Sequence, residues 1–331
     1  MTWPHTEKES PDPLGGEVGA DGIEALPQRV QRYGEAKRKA LDVAEYMRGL
    51  GAEQRRTAAL VEGCGEWLLF RHYFTADRVR LHGASFCRKA LLCPLCAIRR
   101  GAKALEAYMA RYEAVRASRP DLSPFLITLT VKDGADLAER FRHLRGALRE
   151  LRKRHHRGRG AWWDCIEAGV WSYETKRGQG SGLWHPHVHM VALAQAMPDA
   201  ARLAAEWQEI TGDSHVVDVR PMSEAQALGG FLEVFKYALK FSDMEPADVV
   251  QAWAVLAGRR LIGSSGLFRG VEVPEALTDA PLDALPYVQF FFRYLAGGYT
   301  LTGRSGRLPA SPRAQPSAFA RIMTSRGYGA A

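Results

Sequence analysis

His185-Pro186-His187-Val188-His189-Met190-Val191-Ala192-Leu193 is the stretch on which the reading of this chain turns. Its apolar run reads as a buried β-strand. Residues i and i+2 of a strand point to one face, so His187 and His189 project side by side, with His185 on the same side. A rigid pair of imidazoles suits a metal ion. Neutral imidazole fits Mn, Zn, Fe and related ions, whereas Mg prefers oxygen ligands. A carboxylate as third ligand would widen that choice. Residues 166–176 read as a neighbouring strand, joined to the histidine strand by the flexible loop Arg177-Gly178-Gln179-Gly180-Ser181-Gly182. Glu174 on that strand is the first candidate, because cross-strand neighbours converge. The register is open, which keeps Glu167 and Asp164 as alternatives. Taken alone, the spacing fits histidines hydrogen-bonded at the edge of a core just as well.

Two further stretches change that balance. Phe125-Leu126-Ile127-Thr128-Leu129-Thr130-Val131-Lys132 alternates, placing Phe125, Ile127, Leu129 and Val131 on a core face and Thr128, Thr130 and Lys132 on a polar one. Glu233-Val234-Phe235-Lys236-Tyr237-Ala238-Leu239-Lys240 spaces Glu233, Lys236, Tyr237 and Lys240 along one helical face, within a helix expected over 224–241. An ordinary helix would bury Tyr237 and leave the lysines in water, yet Glu, Lys, Tyr and Lys make a poor core face. The chemistry of a phosphodiester explains each residue. A tyrosine hydroxyl attacking phosphorus needs charge stabilisation, which Lys236 or Lys240 supplies, and a metal to polarise the phosphate. Release by water needs a general base, and Glu233 lies one turn away.

Between and around these stretches, Asp136 is placed to cap a helix with a buried stripe of Leu137, Phe141, Leu144, Leu148 and Leu151. Its other faces carry Arg140, Arg142, Arg145, Arg149 and Arg152, which read either as a solvated face or as contacts to nucleic-acid phosphates. Helices are expected over 28–59, 99–116, 199–211 and 246–261, and a strand near 216–219. This order suits an α+β fold built on an antiparallel sheet.

In this order, the three stretches resemble motifs one, two and three of the rolling-circle plasmid replication initiators of the HUH endonuclease superfamily. The group it resembles most has one motif-three tyrosine preceded four residues earlier by glutamate. The resemblance covers roughly residues 60–270. It implies a five-stranded antiparallel HUH sheet flanked by helices, with the metal histidines on a central strand and the tyrosine helix alongside. It implies binding at a double-strand origin and nicking of one strand through a 5′-phosphotyrosine, followed by strand transfer and hydrolysis. Carried over, Tyr237 is the nucleophile, His187 and His189 are ligands for Mn or Mg, Glu233 is the terminating base, and Glu174 is the candidate third ligand. No GxxxxGK[ST] phosphate loop occurs in the 331 residues, so unwinding is expected to need a host helicase.

A net charge of +8, with arginine well in excess of lysine, favours a polyanionic partner. No window suggests a membrane span, and the start lacks a signal peptide, so a cytoplasmic protein is expected. Four of the five cysteines, Cys64, Cys87, Cys93 and Cys96, cluster, and Cys93-Pro94-Leu95-Cys96 has the form of a zinc knuckle. His82 could replace one sulfur, and plain buried thiols are the other reading. Similar cysteine clusters precede motif one in several initiators that the chain resembles. Arg99 and Arg100 would then give a basic module for origin DNA. The expected organisation is a disordered tail over 1–27, a helical and cysteine-rich zinc module over 28–118, the catalytic domain over 119–270, and a partly disordered extension over 271–331. Competing readings are a transposase or relaxase of the same superfamily, or a non-catalytic zinc-containing regulator.

Overall fold

The computed structural model describes residues 22–156, 165–236, 244–282 and 285–307. The chain divides into two compact units, one of Lys39–Glu62 and Cys87–Leu277, the other of the residues up to Arg38, Gly63–Phe86 and those from Thr278 on. The fold is α+β, with one antiparallel sheet in each unit. No helix among the described residues is long and apolar enough to cross a membrane.

The larger unit holds five strands, β3 (Ser123–Thr130), β4 (Ile166–Arg177), β5 (Trp184–Ala194), β6 (Val217–Pro221) and β7 (Ile262–Gly266), in the order β6-β3-β5-β4-β7. The histidine strand β5 is therefore central. Side chains alternate between two faces. On one, Ile127, Leu129, Trp171, Tyr173, Val188 and Met190 pack against three helices, α4 (Leu137–His156), α5 (Ala200–Thr211) and α7 (Pro246–Leu256). The capping read from sequence is present, since Asp136 Oδ1 accepts from the Ala138 and Glu139 amides at 2.8 and 3.2 Å. On the other face lies α6 (Glu224–Phe235), packed across β3, β4 and β5 and against α3 (Pro94–Ser118). Tyr112 and Phe231 stack edge to face at 5.4 Å, and Tyr108 meets Phe235 at 5.1 Å. Gly230 lets α6 approach closely, because a Cβ there would sit 2.4 Å from Met222 Sδ and 3.4 Å from Val191 Cγ2 on the histidine strand.

The smaller unit carries β1 (Trp67–Tyr73), β2 (Arg78–Ala84), β8 (Tyr287–Leu295) and β9 (Gly298–Arg307) in the order β2-β1-β8-β9. Arg29 is buried in this unit, donating from Nη1 to the Val79 carbonyl at 3.0 Å, with the Asp279 carboxylate 3.6 Å from Nη2. Phe70 and Phe292 meet edge to face at 6.0 Å.

Several expectations are revised. The helix expected over 28–59 is two, α1 (Leu26–Arg48) and α2 (Ala52–Glu62), parted at Gly51, whose φ of +146° only glycine takes readily. The helix expected over 246–261 stops at Leu256, and the edge strand β7 follows it. Within the extension expected over 271–331, β8 and β9 pair as far as Arg307, and β8 also pairs with β1. Of the helix expected over 224–241, α6 accounts for Glu224–Phe235 with Lys236 as its C-cap; Tyr237 and Lys240 lie outside the described residues.

Candidate active site

The β4–β5 register places the first candidate for a third ligand beside the histidines. Glu174 stands directly opposite His187, and Ser172 opposite His189. Alternation then sends Glu174, His187 and His189 to the α6 face together. Glu174 is fully buried, and His187 and His189 are 4% and 9% exposed. Glu174 Oε1 lies 3.2 Å from His187 Nε2, and its Oε2 lies 3.3 Å from His189 Nε2. One ligand atom from each residue lies within 4.8 Å of the others, a group able to hold a metal ion. Of the alternatives, Glu167 is half-exposed beside Arg119, 3.7 Å away, and Asp164 lies outside the described residues.

The rings are held from behind. Thr128 Oγ1 lies 3.1 Å from His189 Nδ1, and the His185 carbonyl lies 3.4 Å from His187 Nδ1. These bonds turn both Nε2 atoms toward the carboxylate, the arrangement by which partners of the second nitrogen fix a ligating imidazole. His189 Nε2 is buried and makes no hydrogen bond among the described residues. A buried nitrogen left in that state is costly without an electrophile, and a cation supplies one. The donor set of one carboxylate and two imidazoles fits a divalent transition metal, and also tolerates Mg through the carboxylate.

Helix α6 brings Glu233 to the same place, with Oε1 3.7 Å from His189 Nε2, and Lys236 is ion-paired to Glu233. Sequence reasoning missed Asp133. This residue follows β3, bonds His185 Nδ1 and accepts from Ser181 Oγ in the β4–β5 loop. Burial would raise its carboxyl, but the bonds from Ser181 and His185 outweigh it and hold the group below its ordinary value. His185 therefore belongs to a lateral pair with Asp133. The only local signal for this was an acid just beyond a polar-faced strand.

Of the cysteines, Cys87, Cys93 and Cys96 lie in the larger unit, with their sulfurs within 4.8 Å of one another and Cys87 Sγ 3.6 Å from Cys96 Sγ. Cys93 is the N-cap of α3 and Pro94 its first residue, so the helix start holds Cys93 and Cys96 within its first turn. This cluster is compatible with a zinc module. Cys64 belongs to the other unit, and His82 is part of β2 there. Arg99 does not suit a DNA contact: it is 1% exposed and donates from Nε to the Leu277 carbonyl at 2.7 Å. Arg100 is partly exposed. Arg145 and Arg149 are exposed on α4, and Arg152 lies over the Trp171 ring at 4.7 Å.

The family of replication proteins matches residues 78–287, nearly two thirds of the chain and all of the Glu174, His187 and His189 group. The chain belongs to that family. It is also 26% identical over 288 residues to "Protein rep" of Lactiplantibacillus plantarum, covering 78% of this chain and 87% of that protein. No solved structure matches it. The likeness to rolling-circle plasmid initiators read from the three motifs thus holds for the family, and the replication protein has DNA as its partner.

Proposed function

We propose that this replication protein initiates plasmid rolling-circle replication by nicking one strand of the double-strand origin and joining itself to the 5′-phosphate. The observation that carries the proposal is the buried Glu174–His187–His189 group on the central strand, with Glu233 of α6 at 3.7 Å from His189. A divalent ion held by these three residues, Mn or Mg, would polarise the scissile phosphate of the single-stranded nick site. Tyr237, the residue after Lys236, is the nucleophile. Its oxygen bonds to phosphorus, the bond to the 3′-oxygen breaks, and that oxygen leaves as a hydroxyl while the phenol loses its proton. Lys236, paired with Glu233, and Lys240 offset the charge that develops on the phosphate. For termination, a 3′-hydroxyl reverses the step, or Glu233 takes a proton from water whose oxygen displaces the tyrosine. The single-tyrosine, motif-three-glutamate grouping belongs to this proposal.

Zinc is proposed for Cys87, Cys93 and Cys96, with Cys64 as the fourth sulfur on the sequence reading; its role is to shape a module that contacts origin DNA. Arg100, Arg145, Arg149 and Arg152 are proposed to contact DNA phosphates. Unwinding falls to a host helicase working with host replication proteins, in the cytoplasm.

The test is nicking of a supercoiled origin plasmid with Mn or Mg, comparing wild type with Tyr237→Phe. Wild type should relax the plasmid and stay attached to the 5′ end, and the variant should do neither. Equal nicking by both, or nicking by neither, sinks the mechanism. In parallel, Cys93→Ser with Cys96→Ser should purify with less zinc than wild type; unchanged metal content refutes the knuckle.

A further inference from the structure

A cleft of about 660 Å³ opens on the side of the five-stranded sheet away from the metal group. Its floor includes Trp171 and Tyr173, which alternation places opposite Ser172 and Glu174. Seven of its fifteen lining residues are arginines: Arg142, Arg145, Arg149 and Arg152 from α4, Arg259 and Arg260 from the turn after α7, and Arg269 beyond β7. No lining residue is acidic.

The arginines of this unit are sorted. On the same helix, Arg140 is paired with Glu139 and with Asp213, the latter at 2.7 Å, and Arg154 with Glu209 at 2.9 Å. Off the helix, Arg177 is paired with Asp248 and Arg119 with Asp121. By contrast Arg142, Arg145, Arg149, Arg260 and Arg269 form no ion pair among the described residues, and all five are exposed. Arg260 is oriented by its Nε bond to the Ile262 carbonyl at 2.9 Å, and Arg259 by its Nε bond to Val255. Like charge has gathered at one place. Burial, and then the nearby charge of Arg269, hold the Arg152 guanidinium below its ordinary value against the opposing influence of Tyr173.

Shape and burial choose the anion. Residues 142 to 152 climb roughly 15 Å along the helix at about 1.5 Å per residue. That row outspans a single phosphate and suits a tract of backbone. Trp171 and Tyr173 are 3% and 8% exposed, too covered to serve as stacking platforms. Binding single strands without stacked bases forfeits their main non-electrostatic contact. A duplex hides its bases and presents about one charge per 1.7 Å of axis. We propose that this cleft seats the sugar–phosphate backbone of double-stranded DNA, a contact on the face opposite the nicking centre. The proposal rests on the reading of the chain as a protein that handles origin DNA, and it adds Arg259, Arg260 and Arg269, which sequence reasoning did not read as phosphate contacts.

The test uses the full chain and a fluorescently labelled duplex of origin-unrelated sequence, titrated from about 50 to 200 mM salt. Removing three phosphate contacts with Arg142→Ala, Arg145→Ala and Arg149→Ala together should flatten the log–log salt slope by roughly 2–3. Alanine favours helix, so α4 is retained. The matching lysine triple should keep most of the slope. A control triple, Arg38→Ala, Arg55→Ala and Arg56→Ala, removes equal charge from exposed positions elsewhere and should keep the wild-type slope. A labelled single strand should lose less affinity than the duplex. An unchanged slope in the α4 triple, an equal change in the control, or equal losses on both DNAs overturns the proposal. Origin nicking by wild type is scored beside it. Nicking with an unmoved slope sinks only the cleft, and a moved slope without nicking sinks only the proposed function.

Discussion

On β3, β4 and β5, alternate residues keep different company. Ile127, Leu129, Trp171, Tyr173, Val188 and Met190 pack against α4, α5 and α7 as continuous apolar core. Their neighbours one position away, Thr130, Ser172, Glu174, His187 and His189, are buried almost as deeply on the α6 side. There Ser172 Oγ and His189 Nε2 make no hydrogen bond among the described residues. A buried polar atom in that state costs about 1–3 kcal/mol. One face therefore stabilises the sheet, and the other draws on that stability to hold groups that would be better solvated. The same strands carry both because the two-residue period separates them completely.

If that division is right, the two faces answer mutation in opposite ways. The largest expected effect is on chemistry. Glu174→Gln keeps the shape and removes the charge, and nicking should fall on the order of 10³-fold, the several kcal/mol a polarising cation supplies. Its metal-free melting temperature should not fall. A drop as large as that of a core deletion would mean that Glu174 belongs to the scaffold.

The reverse holds two strands over and one residue along. Leu129 is fully buried among the residues facing α4. Leu129→Ala should cost about 2–5 kcal/mol of unfolding free energy, read from urea midpoints. Nicking per folded molecule, measured at low temperature, should stay close to wild type. Loss of nicking without loss of stability would erase the distinction between the faces.

This distinction was legible in the sequence because it is local. Thr128 and Thr130, and His187 and His189, show their shared faces by spacing alone. Glu174 was legible as a candidate, and only the pairing of Glu174 with His187 promoted it over Glu167. What escaped depends on distant partners. β8 joins β1 from more than two hundred residues away, so the C-terminal strands carried no local sign of where they belong. The edge strand β7 is short and, after Ile262, built of Gly and Ser, which hides it from any apolar pattern. The cleft draws Arg259, Arg260 and Arg269 to α4 across that strand, and no spacing rule joins them. Arg99 looked like a surface cation within a basic run, and its burial follows from a carbonyl 178 residues away.

The smallest effect sharpens the comparison from the stabilising side, where polar groups are paired rather than stranded. Asp213, just past the glycine that caps α5 at φ +70°, accepts from Arg140 Nη1 at 2.7 Å and lies 3.4 Å from His143 Nε2, tying α5 to α4. Burial alone would raise its carboxyl, but the bond from Arg140 and the charge of His143 outweigh it and leave the group below its ordinary value. A carboxyl lowered in the folded state binds its proton more readily when unfolded. Its contribution is therefore complete above the unfolded value, about 3.9, and fades as pH falls through the lowered folded value. Asp213→Asn should destabilise by about 1 kcal/mol between roughly pH 5 and 8, a partly exposed charge-assisted bond being worth no more. The gap from wild type should begin to narrow below about pH 4 and close only below the lowered folded value, followed by denaturant midpoints across the acid range. A gap that persists unchanged at low pH would show that the carboxylate charge does not hold α4 to α5, and that the apolar side stands on packing alone.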